Sequence, residues 1–341
     1  MTSGRLGQKA VPPNAAYAGQ VVHFPDPVRA ARYPQGVWVD ENGYPDFSPY
    51  ARAAAEVADP PEGFGIDELR LTDYVSANAA LYHAGHELWD GLAPVATPHG
   101  WSWHHVVGGR RMELIPAEVK ALLRHHGGLA TAPADHDKRG TRPLQEIRPV
   151  HFGLSTLVPE AVPAQEQVPL SVDDKCVRDF EDYLGYRLPG AYRDFLKAAG
   201  GCAPVGVALD PELGLLVDQP FFALRDEPDV DDLCYVNKCL RDHLTKDYLG
   251  IGYVQGGLLA LKVKGGQAGT VWFCAYDDAR DTEGAWDSPG QRVGSLLLPC
   301  GDDFDAFLLR LAGNPPELET VANLMVDGGF ARAVPVEEVG E

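Results

Sequence analysis

Two histidine pairs sit in one short stretch of the chain: His104-His105 end the aromatic run Trp101-Ser102-Trp103, and His125-His126 precede Gly127-Gly128. Imidazole can hold a divalent cation through one ring nitrogen or trade a proton near neutral pH, so two such pairs can supply both a ligand and a base. A histidine pair at a helix C-terminus can also do no more than complement the helix dipole. The partnership with Trp103-His104-His105 favours chemistry for this one. His83, His86 and His99 have no such partner set and read as surface residues.

The elements that must position these side chains are legible around them. Trp101–Val106 and Arg111–Ile115 read as two strands joined at Gly108-Gly109. Pro116 then stands at the first position of a helix over 116–126 that stops at Gly127-Gly128. Strand, turn, strand and helix, with histidines on the first strand and the helix end, is the layout of a one-metal nuclease. One histidine must hold the cation that polarises a phosphodiester, and an unligated one must take a proton from water. Neighbouring strand residues face opposite sides, which would let His104 and His105 divide those tasks. Upstream, Asn42-Gly43 signals a tight turn. Thr72 or Asp73 caps an amphipathic helix carrying Tyr74, Val75, Ala79 and Tyr82 on one face.

With "NGYPDFSPYA", "TDYVSAN", "WHH", "MELIP" and "HHGG" in that order, residues 36–131 resemble the WHH-type HNH nucleases of bacterial polymorphic toxins. The resemblance implies one divalent metal ion (Mg, Mn, Ni or Zn), with His104 a ligand on the first strand and His125 a ligand at the helix end. It implies His105 as general base, Trp103 packed beneath the site, and Asp46 and Asn78 bracing it. One departure stands out. The family has a second helical histidine where this chain has Lys120, and an ammonium group is no ligand while protonated. Water could fill the position, or Glu113, His126 or His136 could substitute, or Lys120 could act in catalysis by contacting the phosphate; otherwise the site is inactive. Arg110 and Arg111 read equally as solvated turn residues and as phosphate contacts. A structural zinc site needs four closed ligands, which cannot be assembled here.

Charge divides the 341 residues. Residues 1–150 carry 14 Lys+Arg and 17 Asp+Glu, and residues 151–341 carry 15 and 32, which together give the net −20. An acidic second half opposes nucleic-acid binding there and suits a basic protein partner or plain solubility. "LPGAYRDFL" followed by Gly-Gly, the Ile251-Gly252 strand, "GTVWF" and "FDAFLLRL" make residues 171–313 resemble the SUKH superfamily of immunity proteins. The resemblance implies an inhibitor of a cognate nuclease toxin. Asp226, Asp229, Asp231, Asp232, Asp277 and Asp278 are the candidate partner-binding surface.

The expected architecture is α+β in two domains: an N-terminal extension over 1–35, a nuclease-like domain over 36–150, a Pro/Glu-rich linker over 155–169, a SUKH-like domain with one antiparallel sheet over 170–315, and a tail over 316–341. In the second half, two helices split at Leu188-Pro189-Gly190 precede strand-like segments that include "VGSLLLP", and a last helix is capped by Asp302 or Asp303. Six cysteines without a C-x-x-C pattern read as reduced thiols. No run is apolar enough for a membrane span. Without an apolar signal core the expected place is the cytoplasm, with specialised secretion open. The function expected is metal-dependent cleavage of nucleic acid, DNA ahead of RNA, by a nuclease fused to an immunity-type domain. The alternative is a binding protein that neutralises a nuclease toxin and carries a degenerate nuclease domain.

Overall fold

Asp40 accepts backbone N–H bonds from Asn42 and Tyr44, each at 2.8 Å, and Gly43 takes φ +85°. That turn folds the strand β2 (Val37–Val39) onto β3 (Pro45–Asp46), and β1 (Gln20–Val22) completes a small antiparallel sheet on the other side of β2. Helix α1 (Pro27–Arg32) is capped by Asp26, whose carboxylate accepts from the N–H groups of Val28 and Arg29. The computed structural model describes residues 11–59, 66–128, 172–204, 206–210, 212–226, 228–240, 242–313 and 316–336. His136 and the expected linker lie outside the described residues.

A four-stranded antiparallel sheet carries the histidines. Its order is β14 (Ala331–Val334), β4 (Ala53–Val57), β6 (Arg111–Pro116), β5 (Trp101–His105). The β5–β6 hairpin forms as the sequence predicts, with Gly108 at φ +82° in the turn and His104 paired with Glu113 in register. Residues 316–341, expected as a tail, contain helix α9 (Pro316–Asp327), which packs on α2 (Ile66–His83), and β14, which extends the first half's sheet. Thr72 and Asp73 lie inside α2 and do not cap it, because the helix begins at Ile66.

Helix α3 spans only Ala117–Lys120, so the helix expected over 116–126 ends early. The reason is tertiary. The N–H of His125 donates to Tyr276 O at 3.1 Å and that of Gly128 to His105 O at 2.9 Å, and both bonds require a backbone that has left the helix. Such competition overrides helical propensity, which is worth only tenths of a kcal/mol per residue.

The second half begins with α4 (Asp174–Leu184) and α5 (Gly190–Ala199). Gly185, at φ +75°, closes α4 in the left-handed region. Next come β7 (Ala208–Asp210), β8 (Leu215–Val217) and α6 (Leu233–Asn237), then β9 (Tyr248–Val254), β10 (Gly257–Lys262) and β11 (Val271–Ala275). The order closes with α7 (Pro289–Leu296), β12 (Leu298–Gly301), α8 (Phe304–Arg310) and β13 (Ala312–Gly313). In place of the single sheet expected there are two, antiparallel in the orders β12-β11-β10-β9 and β13-β7-β8. "VGSLLLP" is helix over its first four residues, because Ser288 accepts from Gln291 N and Pro289 opens α7, and it is strand only at Leu298-Pro299 in β12. Asp303 caps α8 at Ala306 N, as its position suggests.

Phe195, Phe221, Phe304 and Tyr192 form an aromatic knot in the second half, with Phe195 and Phe304 ring centroids 4.7 Å apart. The two halves share cores. Val207, Leu209 and Leu216 join Trp103, Met112 and Leu114 in one apolar cluster, and Ala117 and Ala121 join the second half's core. All six cysteines are free thiols. Among the described residues no helix is long and apolar enough to cross a membrane.

Candidate active site

Strand β5 lies at one edge of its sheet, so alternation along it sends successive side chains to opposite faces. Trp103 and His105 turn toward α2. The Trp103 indole N–H donates to Asn78 Oδ1 at 2.8 Å, and Asn78 Nδ2 donates to Val95 O at 2.8 Å and Thr97 Oγ1 at 3.0 Å. His105 Nε2 lies 3.0 Å from Asp73 Oδ2. The other Asp73 oxygen accepts from Arg110 Nη2 at 2.6 Å. Burial pushes the His105 pKa down, and the bond to Asp73 opposes that without reversing it.

His104 faces the other way. Its ring centroid is 5.0 Å from that of His125, and the Phe47 ring meets both edge-on at 5.0 and 5.2 Å. His125 Nδ1 lies 3.1 Å from Leu123 O, an arrangement that places the proton on Nδ1 and leaves Nε2 with its lone pair. His125 Nε2 and His104 Nδ1 are both buried without a hydrogen-bond partner among the described residues. Burial drives the His104 pKa well below the imidazole range, aided by His125 and Lys120, and drives that of His125 to about 4. Both rings are therefore neutral at pH 7, the state a metal ligand needs. Each of the two neighbouring rings thus carries one buried nitrogen without a partner, a donor type that divalent cations accept. Among the described residues no group of three His, Cys, Asp or Glu side chains is placed to hold a metal.

The substitute ligands and cations fall as follows. Glu113 sits opposite His104 in register, and its Oε1 accepts from Arg111 Nε at 3.1 Å. His126 is buried with Nε2 unpartnered. Arg111 also donates to Pro335 O, and Arg110 to Ala58 O, so both arginines are held by protein acceptors. Asp46 folds back on Ser48 N and Oγ at 2.9 and 2.6 Å. Lys120 is buried, and its Nζ donates to Trp103 O and to Ser102 Oγ. It thus covers the open edge of β5 from the carbonyl side, while Gln255 Oε1 accepts from Trp103 N at 3.3 Å. In this arrangement the ammonium does not face solvent for phosphate contact. Burial pulls its pKa down to about 7.

Asp73 is the residue the sequence reading missed as a site group. Its one signal is its place in "TDYVSAN", five residues before Asn78.

Of the six acidic candidates in the second half, Asp226 and Asp229 are exposed. Asp231 pairs with Arg225, Asp232 caps α6 at Tyr235 N, and Asp278 pairs with Arg280 at 2.6 Å; all three are buried and contribute little to a surface. Asp277 contacts the first half of its own chain, where its Oδ1 accepts from Gly127 N at 2.9 Å.

Two family models match separate parts of the chain. Residues 93–135 match a nuclease family of the HNH/ENDO VII superfamily with conserved WHH. Residues 171–310 match the SMI1/KNR4 family (SUKH-1). No curated protein matches the chain. A nuclease-type segment is therefore fused to an immunity-type one.

Proposed function

We propose that the chain is a metal-dependent endonuclease of a bacterial toxin–immunity system, with His104 and His125 holding the metal and His105 serving as general base. The observation that carries this reading is the pair of buried, unpartnered, neutral imidazole nitrogens of His104 and His125 on one face of β5, with a carboxylate-anchored imidazole at the next residue. Asp73 fixes the orientation of His105 through Nε2, which leaves Nδ1 as the nitrogen to take the proton of an attacking water. Phe47 walls the His104–His125 face and keeps bulk water from both rings. A bound divalent cation supplies charge stabilisation at the phosphoryl oxygens and the leaving oxygen. Asn78 holds Trp103, and through it the strand that presents both histidines.

The substrate class is nucleic acid, DNA ahead of RNA, and the second half is the immunity-type partner of such a nuclease. Metal titration of the full chain with Mg²⁺, Mn²⁺, Ni²⁺ and Zn²⁺ tests the site, with His104→Ala and His125→Ala as controls. Plasmid and RNA cleavage under the same metals, with His105→Ala, tests the reaction. Metal binding that both substitutions leave unchanged would overturn the assignment.

A second reading, a toxin-neutralising protein with a degenerate nuclease domain, is favoured by one observation. Lys120 is spent on the Trp103 carbonyl. Under that reading the chain binds a nuclease toxin and cuts nothing under any of the four metals.

A further inference from the structure

The histidine site is covered by the second half of the same chain. His104, His105, Lys120 and His125 are each no more than 5% exposed. A phosphodiester cannot reach groups so deeply placed, so the covering segment has to be identified. It is the stretch that follows β11. Asp277 pairs with His125 as an isolated parallel bridge, with His125 N donating to Tyr276 O at 3.1 Å. Its carboxylate accepts the Gly127 N–H.

Gly127 has no room for a side chain. A Cβ there would lie 2.8 Å from Asp277 Oδ2 and 2.8 Å from His105 O. The carboxylate is thus packed against the backbone that immediately follows the second histidine pair. Flanking contacts pin it in place. Arg124, next to His125, donates to Asp281 Oδ2 at 2.8 Å and to Ala275 O at 3.0 Å, and Arg70 of α2 donates to Asp277 O at 3.1 Å. His243 lies 2.8 Å from Ala121 O through Nε2.

The charges complement one another. His105, His125 and Lys120 all feel the negative charge of Asp277. A nuclease site is built to receive an anion, and a carboxylate is the protein's own anion of comparable hydrogen-bonding character.

We propose that residues 276–281 form an intramolecular plug in which the Asp277 carboxylate takes the place of a substrate phosphate, so that the immunity-type half silences the nuclease-type half of its own chain. The identity of the plugged site rests on the nuclease reading above. The plug itself rests on the contacts. Docking also draws on shared apolar packing, so the resting chain is closed, and exchange of the His125 and Gly127 amides, which donate to Tyr276 and Asp277, reports opening.

The test uses the full chain carrying Asp277→Lys, which sets a cation against Lys120 and Arg70. Three things are measured: amide exchange at His125 and Gly127; modification of His104 and His125 by diethylpyrocarbonate; and plasmid cleavage under the four metals. The wild type is expected to exchange slowly and resist modification. The variant should exchange at least about tenfold faster at Gly127, become modifiable, and cut at least about tenfold faster than wild type. Asp277→Ala, which removes charge and acceptor without adding bulk, decides the matter if the lysine variant does not fold. An opened site that cuts nothing sustains the plug and sinks the nuclease reading. Unchanged exchange and modification in both variants, or wild-type imidazoles as reactive as those of a free peptide, overturns the plug.

Discussion

His105 Nε2 lies 3.0 Å from Asp73 Oδ2 with both side chains buried, and Arg110 holds the second carboxylate oxygen. The three groups form a chain from turn to helix to strand, with Asp73 in the middle. Its effect is to lock the rotation of the imidazole and choose which nitrogen faces outward. Asp73 is therefore a positioning residue for His105. Asp73→Asn in the Asp277→Lys chain is expected to lower the cleavage rate by about 10²-fold or more, the usual scale for a general base that loses its orientation. Nitrogen-15 spectra of the histidine ring should show a changed tautomer population at His105. A folded variant with an unaltered tautomer would reduce Asp73 to a packing residue.

The proposed metal face makes a separate prediction. His104→Ala and His125→Ala are each expected to weaken Mn²⁺ or Zn²⁺ binding by at least about tenfold, since the cation loses one of two protein nitrogens. His126→Ala should leave it unchanged. Exhaustive chelation should lower the melting temperature by no more than about a degree or two, because the clusters that hold Phe47 and Trp103 are built from apolar side chains. Calorimetry with and without chelator decides this, and unfolding on chelation would mark the site as structural.

Some of this architecture is legible in the sequence because its causes are local. The Gly108-Gly109 turn and the alternation of Trp101–His105 need only neighbours, and so do the Asn42-Gly43 turn and the Asp303 cap. What is not legible arises between distant residues. The helix from Pro116 has good propensity well past Lys120, yet it stops there because residues more than 140 positions away, at Tyr276 and Asp277, claim its backbone. Asp73 reads as a helix cap because the upstream start at Ile66 has no strong signal of its own. Asp277 reads as a partner-facing acid, and its partner is the same chain. Pairing of Ala331–Val334 with Ala53–Val57 has no local signature at all.

The buried ion pairs of the interface give a pH signature. Burial works to raise the Asp281 pKa, but Arg292 and Arg124, each 2.8 Å away, outweigh it and hold the carboxyl below its ordinary 3.8. Arg292 is shared with Asp242 at 3.0 Å. A carboxylate with a depressed folded-state pKa stabilises fully above the unfolded value, and that contribution is lost as pH falls through the folded value. The melting-temperature gap between wild type and Asp281→Asn should be constant from pH 8 to about 5 and shrink below about pH 4. A gap that persists unchanged at about pH 2 would show that the interface does not depend on the ionised carboxylate.

Strand β14 supplies the last prediction. It pairs with β4 over Ala331–Val57, Arg332–Glu56, Ala333–Ala55 and Val334–Ala54, and Ala331 is buried in the cluster that holds Trp103. A chain ending at Gly329 keeps α9 but leaves the outer edge of β4 with open N–H and C=O groups. Such an edge invites pairing with another copy. The truncated chain is expected to melt at least about 5 °C lower, given that a domain of this size loses roughly 2–4 °C per kcal/mol, and to associate as concentration rises. Arg332→Glu is the control. It removes an ion pair to Glu56 whose side chains are 71% and 45% exposed, and exposed pairs contribute about 1 kcal/mol at most. If truncation and Arg332→Glu lower the melting temperature equally, and the truncated chain stays monomeric in sedimentation, the strand does not close the nuclease-type sheet. If truncation alone destabilises, the first half depends for its own sheet on residues that follow the immunity-type segment.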